Sequence, residues 1–144
     1  MSDSDGTRTI LLVDDDDEVR SALRHGLERG GFRVISATDE RDGAERAAHA
    51  SPDLILMELG RVPPAAALAA GRRVRSAAGR QENVPVVAYA NNAGDVAREG
   101  EAVEVGPGEY VVLPEDSDQL MGWLRRLTAC LAALVLAAAT LPAG

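Results

Sequence analysis

The chain has 144 residues, of which 46% are hydrophobic and 26% charged, so it can close one globular core. These fractions exclude a wholly disordered chain and a polytopic membrane protein. Fifteen basic residues against 23 acidic ones give a net charge of -8, which argues against nucleic acid as a partner. All the basic residues are arginine, because the sequence contains no lysine. The single cysteine excludes an internal disulfide and favours a reducing, cytoplasmic location.

Apolar segments alternate with helical patterns along the chain, which predicts an α/β fold, a doubly wound parallel sheet with helices on both faces. The five predicted strands cover residues 9–13, 32–37, 53–59, 84–90 and 110–113. A helix is predicted after each strand, with N-caps at Asp39 and at Asp116 or Ser117 for the second and the last. The fourth helix, over residues 95–102, is expected to be short or mobile because glycines interrupt its surroundings.

We divide the chain into a flexible lead (residues 1–8), one α/β domain (residues 9–128) and an apolar C-terminal helical extension (residues 129–144). This tail carries no charged residue and admits three interpretations. It could be a helix that joins two copies into a homodimer, which we favour because exposed apolar helices usually mark interfaces. It could instead contact or anchor in a membrane, with Arg125 and Arg126 on the cytoplasmic side, or be a disordered end.

Five short segments lie in or near the predicted strands: Val-Asp-Asp at 13–15, Pro-Asp-Leu-Ile-Leu-Met-Glu at 52–58, the proline at 63, Pro-Val-Val at 85–87 and Tyr-Val-Val-Leu-Pro at 110–114. Together these segments resemble the receiver domain of bacterial response regulators. The resemblance covers about residues 9–128 with the strand spacing preserved. It implies a CheY-like five-stranded sheet whose site lies at the carboxyl ends of the strands.

The resemblance also implies a role for particular positions. Asp14 and Asp15 match the acidic pair that helps to hold Mg²⁺ in the family, and carboxylate oxygens suit this ion. Glu58 stands where the family has its phosphoacceptor aspartate, Ala90 where it has a hydroxyl residue and Leu113 where it has a lysine. The extra methylene of Glu58 displaces the acceptor by on the order of 1 Å, which can cost about 100-fold. Each lost donor costs roughly 100- to 1,000-fold, so we expect no useful phosphorylation.

The replaced lysine leaves an electrostatic problem at this predicted site. Asp14, Asp15 and Glu58 are expected to converge, and like charges about 4 Å apart repel by roughly 4 kcal/mol at an effective dielectric near 20. Three compensations are open: a weakly bound Mg²⁺ on these three carboxylates, a raised pKa on one of them, or a guanidinium from Arg61.

Tyr110 matches the aromatic residue that, in the family, moves between buried and exposed positions as the domain switches. We expect its ring to be held inward because Ala90 leaves space beneath it. The alternative is an ordinary strand aromatic with its hydroxyl at the surface.

Together these features predict an atypical receiver, a pseudo-receiver, that acts in bacterial signal transduction by binding a signalling protein without phosphorylation. We expect no enzymatic activity, and a partner surface on the fourth helix, fifth strand and fifth helix. One alternative is a receiver that is still phosphorylated with low efficiency in a two-component phosphorelay. The other is a metal-dependent phosphohydrolase with Asp14 as its nucleophile.

Overall fold

The computed structural model describes residues 6–60, 62–79, 84–90 and 97–129. Its elements are β1 (Thr9–Asp14), α1 (Asp17–Arg29), β2 (Arg33–Ala37), α2 (Glu40–Ala50), β3 (Leu54–Glu58), α3 (Pro64–Ala77), β4 (Val86–Tyr89), β5 (Glu101–Gly106), β6 (Glu109–Leu113) and α4 (Ser117–Ala129). The predictions for the first five residues, for Arg61 and for the tail from residue 130 lie outside these ranges. Within the described part of the chain, no helix has the length and apolar character needed to span a bilayer.

The strands form one sheet in the order β2-β1-β3-β4-β6-β5. All neighbours are parallel except β5, which runs antiparallel to β6 at one edge. The predicted doubly wound α/β architecture is confirmed. The predicted count of five strands is wrong, because the sheet has six.

The additional strand β5 lies where part of a fourth helix was predicted. Glu101 to Gly106 is rich in β-formers through Val103 and Val105, and the Gly-Pro-Gly turn that follows reverses the chain into β6. Gly108 in this turn has a φ of 69°, which glycine adopts without strain. Of the helix predicted over residues 95–102, residues 97–100 are not helical and residues 101–102 begin β5, so this prediction is wrong where the structure describes the chain. The predicted fifth strand is β6.

Each face of the sheet has its own apolar core, because successive side chains of a strand point to opposite faces. The core under α2 and α3 includes Val13, Met57, Ala88 and Val111. The core under α1 and α4 includes Leu12, Leu56, Val112 and Trp123. Burial on both faces explains why β1 and β3 are nearly continuous apolar segments.

Short contacts and caps fix where the helices lie against the sheet. Gly71 of α3 faces Val86 of β4 so closely that a Cβ atom there would overlap the valine side chain. Asp39 caps α2 by accepting a hydrogen bond from the Asp42 amide at 2.8 Å, as predicted. Of the two predicted N-caps for α4, Asp116 is the one observed. Its side chain accepts a hydrogen bond from the backbone amide three residues further along the chain. Because β1, β3, β4 and β6 run parallel, their carboxyl ends lie along one edge of the sheet. The candidate site lies at this edge.

Candidate functional site

Two carboxylates end neighbouring strands at this edge. Asp14 closes β1 and Glu58 closes β3, and the two are register partners in the parallel pair. Since adjacent strands lie about 4.8 Å apart, their side chains start close together on the same face. Asp14 is completely buried, Glu58 is partly buried, and Asp15 is exposed. The site therefore extends from the solvent-exposed Asp15 to the buried Asp14.

Only one of the two oxygens of the buried Asp14 carboxylate has a hydrogen-bond partner among the described residues. Its Oδ1 accepts a hydrogen bond from the Asp16 amide at 2.9 Å. Its Oδ2 is buried and has no hydrogen-bond partner among the described residues. A buried carboxylate oxygen without a partner is costly, so it favours a proton or a cation beside it.

Burial and the neighbouring negative charges raise the pKa values of both Asp14 and Glu58. Burial raises the pKa of Asp14 to about 6, and the charges of Asp15 and Asp16 add to the rise. Burial also raises the pKa of Glu58 to about 7, followed by repulsion from Asp14, Asp15 and Asp16. Of the three compensations considered from the sequence, raised carboxyl pKa values are present in this structure.

A cation that the sequence interpretation missed lies beside these acids. Arg20 of α1 donates from Nη1 to the backbone carbonyl oxygen of Asp14 at 2.8 Å, and from Nη2 to Asp17 Oδ1 at 2.5 Å. Its side chain is 19% exposed, so the guanidinium is largely enclosed. The sequence could have predicted the ion pair of Asp17 with Arg20, because residues three apart on a helix are neighbours. The contact with Asp14 depends on how α1 folds back on β1.

The metal-ligand prediction is only partly supported by the geometry. Among the described residues, no three His, Cys, Asp or Glu side chains are arranged to hold one metal ion, so Asp14, Asp15 and Glu58 do not form such a set. Asp14 and Glu58 nevertheless fit a hard divalent cation, because the unpartnered Asp14 Oδ2 and the Glu58 oxygens are the ligand type it prefers.

The other two positions implied by the resemblance carry apolar side chains. Ala90 is 4% exposed and belongs to the core under α2 and α3. Leu113 is partly buried and packs against that same core. Neither side chain can donate a hydrogen bond to an anion at Glu58.

Tyr89, which ends β4, is a second residue that the sequence interpretation did not assign to the site. Burial raises the pKa of its phenol, and the charge of Glu58 adds to this effect. The side chain packs partly against the core under α1 and α4, on the opposite face from Ala90. The alternation of side chains along a strand puts Tyr89 and Ala90 on different faces of the sheet. The proximity of Tyr89 to Glu58, in contrast, depends on how β3 and β4 pair in the fold.

Tyr110 lies in the core under α1 and α4, where it is 8% exposed and grouped with Leu120 and Leu124 of α4. Ala90 belongs to the core on the other face, so the space expected beneath Tyr110 from that alanine is not the reason for its inward position. The ring is buried because it lies beneath α4. Its role as a switch stays a prediction.

A family model described as the response regulator receiver domain matches residues 10–125. The regulatory protein AtoC of Escherichia coli K12 is 33% identical over 111 residues, which cover 77% of this chain and 23% of that protein. The transcriptional regulatory protein CseB of Streptomyces avermitilis is 32% identical over 118 residues, covering 81% of this chain and 47% of that protein. The chain thus spans less than half the length of these two relatives.

Two solved structures have a similar fold. The chemotaxis protein CheY4 of Vibrio cholerae has a TM-score of 0.62 at 21% identity, covering 84% of this chain and 98% of that one. The receiver domain of the sensor histidine kinase PA1611 of Pseudomonas aeruginosa has a TM-score of 0.60 at 23% identity, covering 86% and 99%. The latter is described with a magnesium ion coordinated in its active site cleft.

Proposed function

Because this chain belongs to the response regulator receiver domain family, we propose that it is a pseudo-receiver that signals by binding a protein partner without phosphorylation. Receiver domains are generally non-enzymatic signalling domains of two-component systems, and they interact with kinases or effectors. The proposal places this chain in the cytoplasm, as a binding module and not as an enzyme.

The observation that carries the proposal is the chemistry around Glu58. Phosphoryl transfer to a carboxylate depends on positioning and on groups that stabilise charge on the transferring oxygens. Here the acceptor is one methylene longer, and both Ala90 and Leu113 turn apolar side chains into a core. Each missing donor corresponds to roughly 100- to 1,000-fold in rate, although such losses are not additive.

Magnesium has a limited role in this proposal. Asp14 and Glu58 would hold Mg²⁺ weakly, and the ion would supply positive charge to a buried and a partly buried carboxylate. Asp15 is exposed and contributes to the site through its charge. Asp14 and Glu58 would therefore use a bound ion for charge balance alone, with no covalent step.

We place the partner surface on β5, β6 and α4. β5 takes the place in this surface of the fourth helix expected over residues 95–102, and as an edge strand it carries the half-exposed Val105. The proposals that the tail mediates a homodimer or a membrane contact concern residues 129–144. Size-exclusion chromatography and vesicle flotation of the full chain against a chain ending at Thr128 test them. Identical behaviour of the two chains would reject both.

Incubation with acetyl phosphate and Mg²⁺, followed by intact-mass measurement, tests the function. In a competent receiver a carboxylate oxygen attacks phosphorus and acetate leaves, so the protein gains one phosphoryl group. We expect no such gain for this chain. The matched control restores the three positions together as Glu58→Asp, Ala90→Thr and Leu113→Lys, and a gain of mass is expected there. Stable labelling of the unaltered chain would overturn the proposal, and slow labelling would favour the low-efficiency phosphorelay.

A further inference from the structure

Arg20 lies at the acidic site with two anchors that hold its guanidinium in place. Nη1 donates to the carbonyl oxygen of Asp14, and Nη2 donates to Oδ1 of Asp17. A guanidinium whose two terminal nitrogens each donate to an acceptor has little remaining conformational freedom. Arg20 is therefore a fixed positive charge at the end of β1.

The site has an unmet need for positive charge. Asp14 is completely buried, and its Oδ2 has no hydrogen-bond partner among the described residues. Nη1 of Arg20 lies 2.8 Å from the carbonyl oxygen of this same residue, which places a positive charge next to the Asp14 carboxylate. Because Arg20 is 19% exposed, its field is weakly screened by solvent.

We propose that Arg20 is the resident cation of this acidic site and that its charge competes with Mg²⁺ for Asp14. This inference rests on the proposed function, because it explains how the acidic site persists without a phosphorylation cycle. A second cation gains less from a carboxylate that already has a guanidinium charge beside it. Arg20 is a positioning residue, since it holds the start of α1 against the end of β1 through the Asp14 carbonyl group.

The test compares Mg²⁺ affinities of the full chain and its variants by amide NMR titration, with Mg²⁺ alone as the probe. Removing one unit charge beside a divalent cation changes affinity by on the order of ten-fold. We therefore expect Arg20→Gln to bind Mg²⁺ about ten-fold more tightly than the unaltered chain, and Arg20→Lys to stay within about two-fold of it.

Arg24→Gln is the matched control, because Arg24 lies on the same helix and its ion pair with Glu28 is half-exposed. It makes the same change in net charge, and we expect an unchanged Mg²⁺ affinity. A merely structural role for Arg20 would weaken Mg²⁺ binding in Arg20→Gln, and that result would overturn the inference. Equal affinities, or no binding to either chain, would also overturn it. Acyl phosphate formation would refute the proposed function without altering this order of affinities.

Discussion

Glu58→Gln should stabilise the protein in neutral and alkaline solution, because it removes a charge that the fold opposes. The pKa of Glu58 rises from 4.5 to about 7 on folding. A folded-state pKa above the unfolded value means that the stability this acid contributes is fully present below about pH 4.5 and is lost as the pH rises through about 7. At 1.36 kcal/mol for each pKa unit, the shift sets an upper bound of about 3 kcal/mol. Partial exposure and coupling to Asp14 reduce this to on the order of 2 kcal/mol.

Urea denaturation followed by circular dichroism, in metal-free buffer with a chelator, measures this effect. Near pH 8 we expect Glu58→Gln to exceed the unaltered chain in free energy of unfolding by about 2 kcal/mol, and near pH 4.5 we expect no difference. The exposed Glu99 provides the control, since Glu99→Gln removes the same charge from a solvated turn. An equal difference at both pH values, or no gain near pH 8, would refute the assignment of Glu58 as a destabilised carboxylate.

Three further substitutions test the packing of α3 against the sheet and two of its ion pairs. Gly71→Ala should cost about 1–3 kcal/mol in the same denaturation assay because the new Cβ overlaps Val86, and an unchanged midpoint would show that α3 is not tightly seated. Glu109→Gln should cost about 1–2 kcal/mol, because it breaks a 2.7 Å ion pair with Arg72 in which the glutamate is 14% exposed. The more exposed Glu40→Gln should cost less than about 1 kcal/mol, and a reversed order would contradict the burial argument.

The sequence predicted those parts of the fold that local pattern decides. β1 and β3 were recognisable because strands buried on both faces are continuous apolar segments. β5 was missed because glutamates alternate with its valines, and because its pairing with β6 depends on the turn at residues 106–108 more than on its own composition. By its composition, the short segment before that turn did not distinguish a strand from the end of a frayed helix.

The candidate site was predictable in its residue types and not in its contacts. Asp14 and Glu58 were placed together because parallel strands end at one edge. Arg20 and Tyr89 were missed because their proximity to these acids depends on the packing of α1 and on the face that each side chain occupies. The expected link between Ala90 and Tyr110 was wrong for the same reason, since the two residues belong to cores on opposite faces.

The amide NMR spectrum with beryllofluoride and Mg²⁺, compared with Mg²⁺ alone, tests the central claim most directly. Beryllofluoride adds to a carboxylate as a phosphoryl mimic when suitable donors surround it. We expect the amides of Glu58, Ala90 and Leu113 to have the same positions in both spectra. Shifts at all three positions, with a change at Tyr110, would show that the site still accepts a phosphoryl-like group, and would contradict the account.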